Sequence, residues 1–176
     1  METNIIINIF GPSPAGKSTI AELLQGHIER LYTVDFDVVK RQLAGYYWKR
    51  DRNVSEQITF DTLISATKAE LPILALLPPP KQKEAYERIV AVAEESGYSL
   101  INVEITAPKE VLIERYQDRL QKIRESGTTW KFKTLDEFKA NLDVVYYRPD
   151  NTITFDSSIK SPDNIFQDIK NKIEAL

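Results

Sequence analysis

Four residues near the amino terminus have the types and spacing to handle a polyphosphate. Gly11, Gly16, Lys17 and Ser18 fit G-x-x-x-x-G-K-[ST]. In such a loop backbone amides wrap the β-phosphate, a lysine reaches the terminal phosphates as a point charge, and a hydroxyl ligates Mg²⁺. Lys17 and Ser18 fill the last two roles, and Gly11, Ser13, Ala15, Gly16 and Thr19 complete the expected nucleotide-binding set. A second group, Asp35 and Asp37, flanks a single Phe36, with Lys40 and Arg41 just beyond. Paired carboxylates can take a proton or hold a metal, but they also favour the cap and first turn of a helix, which alone would explain one of them. A third group is Arg115 and Arg119, four apart and therefore on one face of a helix. As a plain solvated face they would pair with Glu114 and Asp118 for only about 0.2–0.5 kcal/mol each.

The elements that must hold these groups are legible in the hydrophobic pattern. Ile5 to Phe10 is a short apolar run rich in β-branched residues, the mark of a buried strand, and Ile20, Leu23, Leu24 and Ile28 recur at helical spacing after the loop. The loop therefore opens into a helix whose unpaired N–H groups attract anions; that helix is expected to end near Arg30. Leu31 to Val34 reads as a second strand that delivers Asp35 and Asp37 at its carboxyl end, where ligands sit in parallel sheets. From Asp37 a helical pattern runs toward Tyr46-Tyr47-Trp48. Another is expected from Ser55-Glu56 to Leu71, with Ile58, Leu63 and Ile64 on its buried side, stopped by Pro72.

A third strand, Ile73 to Leu77, precedes Pro78-Pro79-Pro80, and Gln82 to Ser96 reads as a helix closed by Gly97. Tyr98 to Ile105 is the fourth strand. Ala107-Pro108 then starts a long arginine-bearing helix, with Pro108 near its first turn, broken at Ser126-Gly127-Thr128-Thr129. Trp130-Lys131-Phe132-Lys133 precedes a helix from Leu135 to about Tyr146, and a mobile lid is expected over about 115–147. Thr152 to Phe155 is the fifth strand, and Ser161-Pro162-Asp163 caps a terminal helix reaching Leu176. Alternating strands and helices predict an α/β fold, a parallel five-stranded sheet covered on both faces, in a single domain over 1–176.

Composition narrows the function classes. At 176 residues, with 42% apolar and 28% charged, the chain can bury a sizeable core, so disorder is not the default. Acidic residues exceed basic ones 26 to 23, so no global basic field announces nucleic acid; a nucleic-acid partner would have to be met by local residues. Lys49, Arg50 and Arg52 beside Tyr46, Tyr47 and Trp48 are such a place, equally readable as a helix end with snorkelling cations. There is no cysteine, which excludes disulfides and thiolate metal sites. The longest apolar run is too short to span a bilayer and no leader-like segment is visible, so a cytoplasmic protein without membrane contact is the simplest expectation. His27, the single histidine, reads as a surface or packing residue.

GPSPAGKST, DFDVVK, VEITAPKEVLIERYQDR and YYRPDNTITFDSSIKSP together resemble the P-loop kinases. The likeness is strongest to a compact AAA-type branch that includes zeta-toxin-like kinases and the 5′-hydroxyl kinase domain of polynucleotide kinases. It implies the three-layer P-loop NTPase fold with a helical lid, ATP and Mg²⁺ as cofactors, and transfer of the γ-phosphate to a hydroxyl. That hydroxyl would belong to a nucleic-acid 5′ end, a nucleotide or a small metabolite. In this family a strand-two aspartate with a basic residue three positions later binds and deprotonates the acceptor, and Asp37 with Lys40 matches. Strand alternation would put Asp35 on the same face, so either could serve or one could hold Mg²⁺ through water. Asp37 is favoured as base, Asp35 with Ser18 as metal ligand, and Asp35, Lys40 and Arg41 as acceptor contacts. Arg115 and Arg119 match the lid arginines that neutralise the transferring phosphoryl group; Arg124 is a third candidate, near the helix end. The backbone of FDSSIKSPDNI would frame the adenine. Two departures stand out. Pro14 lacks the amide that related loops offer to the bridging oxygen, and strand three ends without the usual magnesium-holding aspartate. They keep two alternatives open: a nucleoside monophosphate kinase, and a non-catalytic ATP-binding switch.

Overall fold

The isoleucines of β1 (Ile5–Phe10) are buried along the whole strand, as a central strand covered on both faces requires. The structure, a computed structural model, describes residues 4–78, 80, 82–126 and 133–176. With β1 run β2 (Tyr32–Asp35), β3 (Ile73–Leu76), β4 (Ser99–Thr106) and β5 (Ile153–Asp156), all parallel, in the order β2-β3-β1-β4-β5. The loop after β1 therefore leaves the middle of the sheet at its carboxyl edge.

Period-two alternation divides the core. Ile5, Ile7 and Ile9 face one side, where they meet α1 (Lys17–His27), α5 (Lys109–Glu125), α6 (Leu135–Leu142) and α7 (Pro162–Glu174) through Leu24, Leu112, Phe138 and Ile169. Ile6 faces the other, with Leu63 of α3 (Trp48–Lys68) and Ile89 of α4 (Lys83–Ser96). The short α2 (Phe36–Gln42) joins β2 to α3. The three-layer α/β/α sandwich with five parallel strands is as expected. Among the described residues no helix is long and apolar enough to cross a membrane.

Several local expectations need correction. α1 stops at His27, capped at Ile28, and Arg30 turns the chain with φ 59°, so the helix is three residues shorter than its pattern suggested. The helix from Asp37 does not reach the aromatic cluster: it ends at Gln42, and Tyr47 starts α3, its N–H donating to Asp51 Oδ2 at 2.7 Å. Within α3, Leu63 is fully buried, but Ile58 and Ile64 are 39% and 36% exposed. Ser55, Thr59 and Thr67 take the inner face instead. Their hydroxyls are satisfied within the helix, Ser55 Oγ donating to Asp51 O at 2.9 Å and Thr59 Oγ1 to Ser55 O at 2.7 Å, so small polar side chains can be buried there. β3 stops at Leu76 rather than Leu77, while Pro108, expected near the first helical position, is the N-cap of α5. α6 begins with a capping box between Thr134 and Glu137 but stops at Leu142, well before Tyr146. Among the described residues no further helix or strand precedes β5, and the Tyr147 N–H donates to Pro80 O at 2.9 Å. The expected Gly127-Thr128-Thr129 break and Trp130-Lys131-Phe132 lie outside the described residues.

Candidate functional site

Gly11 and Gly16 are what the loop's path demands. At Gly11, φ is +133° and a Cβ would lie 2.0 Å from Ile105 O of β4, so the backbone passes too close for any side chain. Gly16 is left-handed, with φ 101°, and forms the N-cap of α1 without a side-chain cap. The amides of Lys17, Ser18 and Thr19 are thus left without helical acceptors at the carboxyl edge of the sheet, where an anion can collect them. The Ala15 N–H turns inward to Pro12 O at 3.1 Å, while Pro12 and Pro14 carry no amide at all. Ser13, Ser18 and Thr19 are exposed.

Lys17 folds back along this loop, its ammonium donating to Gly11 O at 2.8 Å and Pro12 O at 3.0 Å. Burial lowers its pKa from 10.5 to about 8; Asp37 pulls it back up, Arg119 pushes it down and Asp35 raises it further. Three segments distant in sequence therefore act on one ammonium: the loop, the β2–α2 junction and α5.

At the β2–α2 junction the structure changes the geometry expected of the two carboxylates. Strand alternation does not relate them, because β2 ends at Asp35 and Asp37 is already in the first turn of α2. Asp35 caps that helix, Oδ1 accepting the Asp37 N–H at 2.7 Å, with Oδ2 uncommitted among the described residues. The Asp37 carboxylate is exposed and paired with Lys40 at 2.5 Å, and the Lys40 ammonium lies 5.0 Å from the Phe36 ring centre. Arg41, on the same helix, is exposed.

The two arginines of α5 go to different partners. Arg119 Nη1 donates to Ser13 Oγ at 3.2 Å, on the loop after β1. Arg115 is tied to the β5–α7 turn, Nη1 donating to Ser157 Oγ at 2.8 Å and Nη2 to Ser157 O at 3.0 Å. Arg124 is exposed near the end of α5.

Oxygen donors for a hard cation are present in Ser18 and Asp35. Among the described residues no cluster of three or more His, Asp or Glu could hold a metal without help. Leu76 stands beside Asp35 in the register, where the missing strand-three carboxylate would have been a neighbour.

The remaining candidates have local roles. His27 bonds Leu23 O at 2.8 Å and its ring packs on Phe166. In the aromatic-basic corner Arg50 pairs with Asp51 and Arg52 with Glu56, while Trp48 stays 57% exposed. Sequence reasoning missed a cavity of about 140 Å³ on the Ile6 face of the sheet, lined by Asn8, Phe10, Arg52, Phe60, Tyr86 and Arg88 among others. One signal was available. Asn8 is the polar residue in an otherwise apolar strand, in register with Asn102, and its Nδ2 donates to Asn102 Oδ1 at 3.0 Å.

A match to a family model covers residues 6–145, and the family is that of an AAA domain. The chain belongs to that family. No curated protein matches it. Among solved structures this AAA domain is similar to a candidate kinase from Chloroflexus aurantiacus, with TM-score 0.75, 16% identity, and 99% and 98% of the two chains covered. The APS kinase of Mycobacterium tuberculosis, solved with AMPPNP and APS, gives TM-score 0.60 and 19% identity over 99% of both chains. A chain of the Pnkp1/Rnl/Hen1 RNA repair complex gives 0.60 and 15% identity over 81% of this chain and 44% of that one. At these identities the likeness is one of fold, and the AAA domain has the fold of the P-loop kinases.

Proposed function

We propose that the protein is an ATP-dependent phosphotransferase that moves the γ-phosphoryl group to an acceptor hydroxyl. The observation that carries this reading is the convergence on Lys17 of Asp37, Asp35 and Arg119. A cation for the phosphates, a carboxylate for the acceptor proton and a guanidinium from a separate helix are the parts such a transfer needs. The amides of Lys17, Ser18 and Thr19 hold the β-phosphate, and the Lys17 ammonium exchanges loop carbonyls for phosphate oxygens. Ser18 and Asp35 would hold Mg²⁺, which when bound neutralises charge on the phosphates. Asp37, oriented by Lys40, accepts the proton of the hydroxyl. That oxygen bonds to the γ-phosphorus as the bond to the β–γ bridging oxygen breaks, and ADP leaves. Arg119 offsets the charge spreading over the transferred group, and α5 with α6, within about 115–147, acts as the lid that delivers it. Arg115 shares this role only if it leaves Ser157; otherwise it anchors the turn beside the nucleotide.

The fold neighbours solved with AMPPNP and APS, and within an RNA repair complex, support ATP as donor and keep a small nucleotide or a nucleic-acid 5′ end among the acceptors. The test is transfer of γ-labelled phosphate to three acceptor classes: a 5′-hydroxyl oligonucleotide, nucleoside monophosphates, and small hydroxylated metabolites. Labelled product from a hydroxyl compound supports the reading, whereas labelling of a monophosphate alone makes the protein a nucleoside monophosphate kinase. ATP binding without any transfer leaves the switch, which Pro14 and the Ser157-bound Arg115 favour.

A further inference from the structure

The cavity beside Asn8 opens at the same carboxyl edge as the phosphate loop. Phe10 in its wall immediately precedes Gly11, and Leu77 immediately follows Leu76, the register partner of Asp35. It lies across the sheet from α1, between α3 and α4, so an occupant would approach the γ-phosphate from the side opposite the loop's own helix. At about 140 Å³ it falls well below the ~300–1,000 Å³ of pockets that enclose drug-sized ligands, and suits a short polar group.

Its charged lining is unequal. Arg52 donates Nε to Glu56 at 2.7 Å, so that pair is largely self-neutralised. The Arg88 guanidinium lies over the Phe60 ring, 4.0 Å from its centre, and no described residue forms a hydrogen bond or ion pair with it. A guanidinium held over a ring by its face keeps N–H donors for an oxyanion, which it can recognise bidentately. Tyr86 adds a neutral donor. Its hydroxyl accepts from Asn102 Nδ2 at 2.7 Å, so its own proton is available for a ligand, and burial raises its pKa.

We infer that this cavity is the acceptor subsite and that Arg88, held over Phe60 and aided by Tyr86, selects small hydroxylated acceptors that carry an oxyanion. This rests on the phosphotransfer reading for the word acceptor, but the anion site stands on its own geometry. The oxyanion is a phosphate ester or a carboxylate; the hydroxyl end points toward Asp37.

The test separates the two claims. Isotope-labelled full-length protein is first saturated with AMPPNP and Mg²⁺, so the phosphate loop is occupied, and then titrated with glycerol, glycerol 3-phosphate and glycerate while side-chain signals of Arg88, Arg52 and Tyr86 are followed. Saturable shifts at these residues with one or both anions and none with glycerol are expected, and the stronger anion identifies the oxyanion. Arg88→Gln should weaken that binding by about tenfold or more, consistent with losing a charge-assisted bidentate pair, with AMPPNP affinity as the control for folding. Equal binding of glycerol and the anions, shifts elsewhere, or indifference to Arg88→Gln overturns the inference. If the anions bind at Arg88 but no hydroxyl compound is ever phosphorylated, the anion site stands and the phosphotransfer reading fails.

Discussion

Taking the Lys17 ammonium out of water costs enough to bring its pKa to about 8, against 10.5 for an exposed lysine. The sign of the consequence follows from proton counting. Between about 8 and 10.5 the unfolded chain carries a proton at this residue that the folded one has lost, so this group's contribution to stability rises with pH across that window. Phosphate binding has the opposite demand, because only the protonated form attracts the anion. ATP affinity should therefore be level below about pH 8 and fall by up to about tenfold per unit above it. Lys17→Ala should bind weakly with no such break. Titration calorimetry at several pH values checks both, and a wild-type profile with no break near 8 would contradict the burial assigned to Lys17. Asp35 and Asp37 show why single residues were only half legible in the sequence. Both readings of Asp35, helix cap and site residue, were visible from its type and place, and the cap is what the hydrogen bond shows. The two roles can be separated. Asn caps a helix as well as Asp, so Asp35→Asn should keep stability within about 0.5 kcal/mol while weakening Mg²⁺-dependent nucleotide binding, whereas Asp35→Ala should cost about 1 kcal/mol in denaturant unfolding. Equal stability of the two variants would remove the cap, and unchanged Mg²⁺ dependence in both would remove the metal role.

At the scale of elements, β1 and the loop after it were readable because a continuous β-branched run and a glycine-lysine-hydroxyl pattern each have few physical solutions. The α3 face was not, because apolar residue type was a poor guide there. Ser55, Thr59 and Thr67 pack inward with their hydroxyls bonded to carbonyls of the preceding turn, and this frees Ile58 and Ile64 to face outward. Leu63→Ala should accordingly lose roughly 2–5 kcal/mol, the usual cost of emptying a packed core position, and Ile58→Ala less than about 0.5 kcal/mol. Comparable losses for the two would restore the face expected from the sequence. The break between α2 and α3 was hidden for a related reason. Asp51 reaches back to the Tyr47 N–H and starts a new helix in a stretch whose aromatic residues suggest the end of the previous one.

Across the whole molecule, the strand order places β1 in the middle and brings the ends of β1, β2 and β3 to one edge, so Lys17, Asp37 and the Arg88 cavity share a neighbourhood although their positions span more than a third of the chain. The alternation of elements made that architecture legible. The cavity was not, because its walls come from β1, α3, the segment after β3 and α4, and no local pattern links Asn8 to Arg88. Arg119 reaches the loop after β1 from the opposite layer, donating to Ser13 Oγ. In the proposed transfer, Asp37 takes the proton of a hydroxyl while the loop holds ATP. Single-turnover transfer of γ-labelled phosphate by wild type and Asp37→Asn, with ATP affinity measured alongside, tests it most directly. Unchanged ATP affinity and a transfer rate reduced roughly 100-fold or more are expected, in the range that positioned general bases supply; equal transfer rates in the two proteins would contradict the role given to Asp37.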